Sequence, residues 1–303
     1  MTAVVPHDLV IAYDDPALRP LANNARLRIE RLLDCTVTLD CTVTLDDAHE
    51  ATAATNDDGV RLFMTSAGLE LRFGTAAAPR QRPLRVDWTE PSMLRRLRGQ
   101  AGREPLVQAL KGKSARTTKP EGPVLIDATA GLGIDSAIAA SRGFLVIAIE
   151  RHPLLAAVLD DGIERARRDL RTADIAARLH LEAADARHVL EGLAHEHDAD
   201  VVYLDPMFAG AAPKSALPKG SMQGLRCLLG GAAAGASAAG DDDDTIELLE
   251  LARACARRVV VKRPPKAAPV GGIAPTRSAI GESCRFDVYT KQGKAPLSER
   301  SET

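Results

Sequence analysis

The order of apolar and polar positions divides the chain into two regions. Up to about residue 90, short β-type runs are separated by turn residues, and 60–64 and 69–73 are spaced as a hairpin. A further strand is predicted at 84–88. From residue 124 onward, short apolar runs alternate with helical stretches. This second pattern predicts right-handed βαβ units in a mostly parallel sheet that is covered on both faces.

The second region defines most of the predicted elements. Strands are predicted at 124–127, 144–149, 179–183, 200–204, 259–261 and 285–289. Helices are predicted at 104–111, 134–141, 154–171 and 245–256. We therefore expect an α/β Rossmann-like domain over 116–303, preceded by a small β-rich α+β domain over 1–115 that could contact RNA. A Gly/Ala/Ser tract and four aspartates at 230–244 predict a flexible insertion, whose aspartates would cap the next helix.

Composition narrows the class of protein. The 303 residues are 45% hydrophobic and 26% charged, as in globular proteins with a substantial core. No basic segment followed by an apolar stretch begins the chain, and no apolar run reaches the roughly 18 residues of a membrane span. We expect a cytoplasmic protein without membrane contact. The five cysteines lack C-x-x-C spacing, so no metal site is expected.

The charge distribution matters more than the net charge. A net charge of −2 argues weakly against nucleic-acid binding, since such proteins usually carry a positive excess. Basic residues nevertheless concentrate in one segment, which predicts either a phosphate-contacting patch or a solvated face. The segment contains one acidic residue, Glu104, and its basic residues are Arg95, Arg96, Arg98, Arg103, Lys111, Lys113, Arg116 and Lys119.

A glycine turn follows the first strand of the second region. Asp127 ends that strand, and Gly131 and Gly133 lead into a helix. Glycines let the backbone pass close to a ligand, and the N–H groups of a helix start suit a nucleotide-like cofactor. A dinucleotide-binding fingerprint would have a third glycine where Ser136 stands. The pattern therefore favours S-adenosylmethionine (SAM) over NAD.

Two further strand ends carry acidic residues. Glu150 follows the second strand, where a carboxylate accepts hydrogen bonds from the ribose hydroxyls of a nucleoside. Asp185 follows the third strand, where it could meet the adenine amino group or cap a helix. Both positions are consistent with a nucleoside ligand.

The fourth strand ends in Asp205-Pro206-Met207-Phe208, which indicates a reaction. An exocyclic amine on a base is a poor nucleophile because its lone pair is delocalised into the ring. The Asp205 carboxylate and the Pro206 carbonyl could accept its two hydrogens and localise that pair toward a methyl donor, and Phe208 could stack on the base. A simple turn is the alternative, since Asp-Pro is common turn chemistry.

Together these motifs resemble the ribosomal RNA small subunit methyltransferase J family (RsmJ), whose members methylate guanine N2 in 16S rRNA. The similarity covers roughly 100–290, through the runs 126–133, 150–151, 159–162, 202–208, 214–216, 259–264 and 285–289. It implies a class I SAM-dependent methyltransferase with a mostly parallel seven-stranded sheet. The implied partner is small-subunit rRNA, naked or in an assembling subunit. The implied SAM contacts are Ile134, Asp135, Glu150, Arg151, Ala184, Asp185 and Asp205.

The sequence departs from the family in three places. Family members have an arginine at the position of Ile134, a serine pair at Ala184 and Asp185, and a shorter segment at 230–244. Lys262 and Arg263, after the fifth strand, are expected either to face RNA phosphates or to lie at the surface with packed stems.

Guanine-N2 methylation of small-subunit rRNA is thus the predicted function, and three alternatives stay open. One is methylation of adenine N6 on DNA or RNA. Another is a non-catalytic RNA-binding protein with a vestigial cofactor pocket. The third, an NAD-dependent oxidoreductase, is disfavoured by Ser136 and by the lack of a Tyr-x-x-x-Lys constellation.

Overall fold

Two β-sheets organise the chain in the computed structural model. The structure describes residues 8–41, 60–73, 83–99, 104–112, 120–193, 199–206 and 238–290. Within these ranges, a four-stranded sheet near the N-terminus is followed by a seven-stranded sheet. The predicted α/β class, with a smaller N-terminal β-rich part, is confirmed. The boundary near residue 115 stays a prediction.

The smaller sheet has the strand order β2-β1-β3-β4. Its elements are β1 (Asp8–Tyr13), α1 (Arg19–Leu33), β2 (Thr36–Cys41), β3 (Val60–Thr65) and β4 (Gly68–Phe73). Strands β3 and β4 form the predicted antiparallel hairpin. Helix α1, which connects the parallel strands β1 and β2, was not predicted. Its buried residues recur at three- and four-residue intervals, a helical period that the β-type interpretation missed: Ala22, Ala25, Ile29 and Leu33.

The larger sheet has the order β10-β11-β9-β8-β5-β6-β7, and β5 to β9 are parallel. Two helices precede it, α2 (Pro91–Arg98) and α3 (Pro105–Lys111). Its own elements are β5 (Val124–Asp127), α4 (Ile134–Ser141), β6 (Leu145–Ile149), α5 (Pro153–Arg168), α6 (Ala173–Ala176), β7 (Leu179–Glu182), α7 (Ala186–Leu193), β8 (Ala199–Leu204), α8 (Ala238–Cys255), β9 (Ala256–Arg263), β10 (Arg277–Ile280) and β11 (Arg285–Thr290).

The seventh strand was not located from the sequence. Strand β10 pairs antiparallel with β11, which in turn pairs antiparallel with β9. Only one of its four residues, Ala279, is buried, so an apolar run does not mark it. The six strands that were located are present, one with the predicted ends and the others with an end shifted by one to three residues.

The strand predicted at 84–88 is wrong. Leu84 forms a single bridge with Leu71, and the chain then runs on without a partner strand. Val86 and Trp88 are buried because they pack beside Gly162 of α5 and Gly133. Their alternation reflects contact with the larger domain rather than strand pairing.

Side chains of β8 alternate between two apolar layers. Val201 and Tyr203 belong to a layer that includes α4 and α5 and continues into the smaller sheet. Val202 and Leu204 belong to the opposite layer, with α7 and α8. Both faces of the parallel sheet are therefore covered, as predicted, and its carboxyl edge lies between the two layers.

Helix α8 begins earlier than predicted. It starts at Ala238, so 238–244 of the predicted insertion is helical, and 230–237 lies outside the described residues. The four aspartates lie inside the first turns of α8 rather than ahead of it as caps. Acidic residues there are favourable because they complement the helix dipole.

Candidate active site

The carboxyl ends of the parallel strands place charged residues at one edge of the large sheet. Strands β5, β6, β8 and β9 are followed or ended there by Asp127, Glu150, Asp205 and Lys262. In open α/β sheets, ligands bind in the crevice beyond this edge. Residues far apart in sequence are thereby brought together.

The glycine turn after β5 has the geometry that the sequence predicted. Gly131 and Gly133 have φ values of 55° and 66°, in the left-handed region that favours glycine. A Cβ on Gly131 would meet nothing within 4 Å, whereas one on Gly133 would lie 2.6 Å from Cδ1 of Leu159. The turn therefore leaves open space beside Gly131 and packs tightly at Gly133. Ile134 begins α4 with its side chain against the core, so it could offer a ligand only backbone atoms.

Asp127 is buried beneath this turn. Its carboxylate accepts hydrogen bonds from the Thr129 N–H at 3.2 Å and the Ser136 hydroxyl at 2.5 Å. Burial outweighs these bonds and raises the pKa of Asp127 to about 7. Ser136, noted in the sequence only as a missing glycine, is thus the hydroxyl that holds this carboxylate.

Glu150 links the second strand end to the same turn. Its oxygens accept the N–H of Gly131 and the N–H of His152, both at 2.7 Å. Burial raises the pKa of Glu150, although these backbone bonds oppose the shift. The predicted ribose contact would therefore come from a carboxylate already fixed by the turn.

Asp185 and Arg151, two of the predicted SAM contacts, already form ion pairs with other charged residues. Asp185 accepts the backbone N–H of Arg187, as an N-cap of α7 would, and also the Arg187 guanidinium at 2.6 Å. These bonds lower the pKa of Asp185 to about 2. The largely exposed Arg151 lies 3.6 Å from Asp244 of α8. Ala184 has no polar side chain, so it could bind a cofactor only through its backbone.

Asp205 and Pro206 follow β8 on the other side of the turn. The Asp205 N–H donates to Thr129 Oγ1 at 2.6 Å, which joins this strand end to the glycine turn. Burial and the neighbouring Asp135 raise the pKa of Asp205 to about 6, although Lys262 opposes the shift. Phe208, the predicted stacking residue, lies outside the described residues.

The sequence analysis missed an ion-pair cluster in the crevice. Lys262 Nζ lies 2.6 Å from Oδ2 of Asp205 and 3.0 Å from Oδ2 of Asp135. Tyr203 donates its hydroxyl to the same Asp135 oxygen at 2.7 Å. Neither alternative offered for Lys262, RNA phosphate contact or a surface position, matches this placement. A lysine directly after three buried valines was the available signal.

The placement of Arg263 also differs from both alternatives that the sequence offered. It is buried, and its Nη2 donates to the Ala268 carbonyl at 2.7 Å. Side chains alternate along a strand, so Lys262 and Arg263 point to opposite faces. Arg263 therefore holds the segment after β9 through its bond to Ala268, while the Lys262 side chain lies in the crevice.

The basic segment that the sequence singled out is partly described. Arg95 and Arg98 of α2 are exposed, whereas Arg96 pairs with Glu104 at 3.1 Å. Residues 100–103 and 113–119 lie outside the described residues. Helix α2 packs on α4, and the Arg142 guanidinium at the end of α4 donates to the carbonyls of Arg96 and Leu97.

The crevice fits SAM. Open space beside Gly131 can admit a ligand, and Glu150 supplies an acceptor for ribose hydroxyls. Asp127, Asp135 and Asp205 give the crevice a negative character that suits a ligand with a sulfonium and an ammonium group. Lys262 balances part of this charge.

A family model for SAM-dependent methyltransferases (SAM_MT) matches residues 45–291. A relative from Thioalkalivibrio sulfidiphilus, named ribosomal RNA small subunit methyltransferase J, is 41% identical over 75% of this chain and 83% of its own length. One of the same name from Chromohalobacter salexigens is 40% identical over 82% of this chain and 89% of its own. The chain belongs to the ribosomal RNA small subunit methyltransferase J family. Membership of this family confirms the predicted cofactor class and disfavours an NAD-dependent oxidoreductase.

A solved structure agrees with the methyltransferase J fold. A SAM-dependent methyltransferase from Neisseria gonorrhoeae is 30% identical to this chain, covers 94% of it and 97% of its own length, and has a TM-score of 0.63. This correspondence extends over the small sheet as well as the large one. In the described residues, no helix is long and apolar enough to cross a membrane. No cluster of three or more His, Cys, Asp or Glu able to hold a metal occurs in that same part of the chain.

Proposed function

We propose that this methyltransferase transfers a methyl group from SAM to the exocyclic N2 amine of a guanosine in small-subunit (16S) rRNA. The observation that supports this most directly is the pair Asp205 and Pro206 beside the glycine turn, with Asp205 held by Thr129 and Lys262. The relatives that are 40% and 41% identical have names that state small-subunit rRNA methylation. Since that RNA is cytoplasmic, we place the reaction there.

The roles of the residues follow from their chemistry. When bound, SAM would supply an electrophilic methyl group: as the carbon–nitrogen bond forms, the electron pair of the carbon–sulfur bond stays on sulfur, and the amine releases one of its hydrogens as a proton to solvent. The Asp205 carboxylate and the Pro206 carbonyl would accept the two amine hydrogens, so that the nitrogen lone pair points toward the methyl carbon. Glu150 would hold the ribose of the cofactor. Phe208 would stack on the base.

Backbone contacts of the RNA would come from the basic segment. Arg95 and Arg98 are exposed on α2, which packs on α4. Guanidinium groups bind phosphate through paired hydrogen bonds, and they act without base specificity. These residues would therefore set affinity, while the pocket around Asp205 would set which amine is methylated.

The product identifies the function. Purified protein is incubated with methyl-labelled SAM and either naked 16S rRNA or assembled small subunits, and the RNA is digested to nucleosides. We expect the label in N2-methylguanosine. Label in N6-methyladenosine would replace the proposal with the adenine alternative. SAM binding without transfer to either substrate would support the non-catalytic RNA-binding alternative.

Asp205 is tested by substitution. Asp205→Ala removes an acceptor for the amine, and we expect a loss of roughly 100-fold or more in single-turnover methyl transfer, comparable to removing one oriented hydrogen-bonding group from an active site. The matched control is Asp200→Asn, at the other end of β8, where the amide oxygen can still accept the Val124 N–H. Near-normal transfer by the Asp205 variant would refute this role.

A further inference from the structure

Lys262 has a placement that the proposed chemistry does not yet use. Its ammonium lies between two carboxylates, 2.6 Å from Asp205 and 3.0 Å from Asp135, and its side chain is 28% exposed. Among the described residues, no other Lys or Arg forms an ion pair with either acid. Such a pair is short and charge-assisted, so it restricts both carboxylates.

The ion pair with Lys262 gives the two carboxylate oxygens of Asp205 different surroundings. Oδ2 accepts a hydrogen bond from the Lys262 ammonium, whereas Oδ1 has no hydrogen-bond partner within the described part of the chain. A carboxylate with one oxygen fixed cannot rotate freely about its side-chain bonds. Its second oxygen is therefore available to the hydrogen of an incoming amine.

The charges around Asp205 explain why a cation is needed there. Asp127 of β5 and Asp135 of α4 repel an ionised Asp205, and the buried Tyr203 of β8 and Cys284, just before β11, also face it. Lys262 of β9 opposes these effects. A protonated Asp205 would present an O–H donor and would accept an amine hydrogen more weakly than the carboxylate does.

Lys262 also connects the two halves of the site. Asp135 lies in the first turn of α4, directly after the glycine turn, and its Oδ2 accepts both the Tyr203 hydroxyl and the Lys262 ammonium. Asp205 stands on the acceptor side. One side chain therefore fixes the cofactor side relative to the acceptor side.

We propose that Lys262 is a positioning residue for methyl transfer: it holds Oδ2 of Asp205, directs Oδ1 to the acceptor amine, and keeps that carboxylate ionised. This inference rests on the proposed function, because it assumes that Asp205 accepts a hydrogen from an exocyclic amine. Lys262 itself forms no bond with the methyl group or the base in this role.

The test is a pH profile of single-turnover transfer, at saturating SAM and RNA, for wild type, Lys262→Met and Lys262→Arg. The wild-type rate should rise with pH through about 6, where Asp205 ionises. In Lys262→Met the rate should fall roughly 10- to 100-fold at pH 6.5, as loss of a charged hydrogen bond implies. The low-pH side (acid limb) of the pH–rate profile of Lys262→Met should move to higher pH, because a smaller fraction of Asp205 is ionised at a given pH. Lys262→Arg should restore most of the wild-type profile.

Separate measurements distinguish a failure of the Lys262 inference from a failure of the proposed function. Isothermal titration calorimetry measures SAM binding without any methyl transfer. An unchanged acid limb in a folded, SAM-binding Lys262→Met variant would overturn the inference, even if its rate were lower at every pH. Absence of N2-methylguanosine with the wild type would instead refute the proposed function.

A second variant keeps the inference testable if Lys262→Met does not fold. Asp135→Asn removes a negative neighbour of Asp205 and leaves Lys262 in place. Its acid limb should therefore move to lower pH, opposite to the shift expected for Lys262→Met. An upward shift or no shift in Asp135→Asn would contradict the proposed charge balance.

Discussion

At the scale of single residues, buried carboxylates dominate the crevice. Asp127 is 1% exposed, and burial brings its pKa from an ordinary value near 3.8 to about 7. A group whose pKa is raised in the folded state stabilises the fold when it is protonated. That contribution is complete below about pH 4, declines as the pH rises, and is gone above about 7.

Asp127→Asn should therefore make the ligand-free protein more stable at alkaline pH. The neutral amide avoids burying a charge, and we expect a gain on the order of 2 kcal/mol at pH 8, which shrinks toward pH 4. Urea unfolding of both proteins at several pH values measures the difference. A difference that does not change with pH would contradict the assigned pKa.

The same variant should bind SAM more weakly. Loss of a negative charge from the crevice removes attraction for a positively charged ligand. Calorimetry at pH 8 measures the affinity of both proteins for SAM. If Asp127→Asn is more stable and binds SAM more weakly, the native carboxylate raises the affinity for SAM and lowers the free energy of unfolding.

At the scale of elements, the β5–α4 turn assigns different tasks to its two glycines. Both have positive φ, which costs an alanine about 1 kcal/mol or more. At Gly131 the space beside the Cα is open, whereas at Gly133 a Cβ would contact the buried Leu159. One position therefore borders open space and the other faces the core.

Gly131→Ala and Gly133→Ala form a matched pair. We expect Gly133→Ala to lose more stability, about 2–4 kcal/mol, because overpacking adds to the backbone strain. Gly131→Ala should lose about 1–2 kcal/mol but weaken SAM binding roughly tenfold or more, since its methyl group enters the ligand space. Urea unfolding and calorimetry on both variants measure the two effects. Equal SAM affinity in Gly131→Ala and wild type would place the ligand elsewhere.

At the scale of the whole molecule, a buried acid on α5 joins the two sheets. Asp161 accepts the Leu69 N–H of β4 at 2.9 Å and is contacted by Arg28 of α1 and Arg165 of its own helix. Asp161 is 6% exposed, and the buried Leu69 N–H depends on it, whereas Arg28 also pairs with Asp160 and Arg165 also donates to the Val86 carbonyl. The small sheet is thereby fixed against the methyltransferase domain.

Asp161→Ala should destabilise the protein by about 2–4 kcal/mol, because it leaves a buried N–H without its acceptor and removes one of the acceptors of each of two guanidinium groups. The control is Glu164→Ala, on the same helix, whose ion pairs are with the largely exposed Arg167 and Arg168 and should be worth about 0.5 kcal/mol or less. Urea unfolding compares the two. Similar losses in both variants would show that Asp161 does not link the sheets.

The sequence by itself determined six of the seven strands of the larger sheet, the glycine turn and the Asp205-Pro206 strand end. These features depend on local periodicity and on the backbone preferences of glycine and proline, which neighbouring residues reveal. The failures arose where burial came from distant contacts, as at 84–88, or where a strand had few buried residues, as at β10. Helix α1 is different, because its helical period was present in the sequence and was overlooked.

Only the tertiary structure decided how the charges of the site are shared. Lys262 is 57 positions from Asp205 and 127 from Asp135, and Tyr203 is 68 positions from Asp135. No local pattern couples residues at such separations. The parallel sheet brings their strand ends to one edge, where burial strengthens each charge interaction and decides which carboxylate is paired.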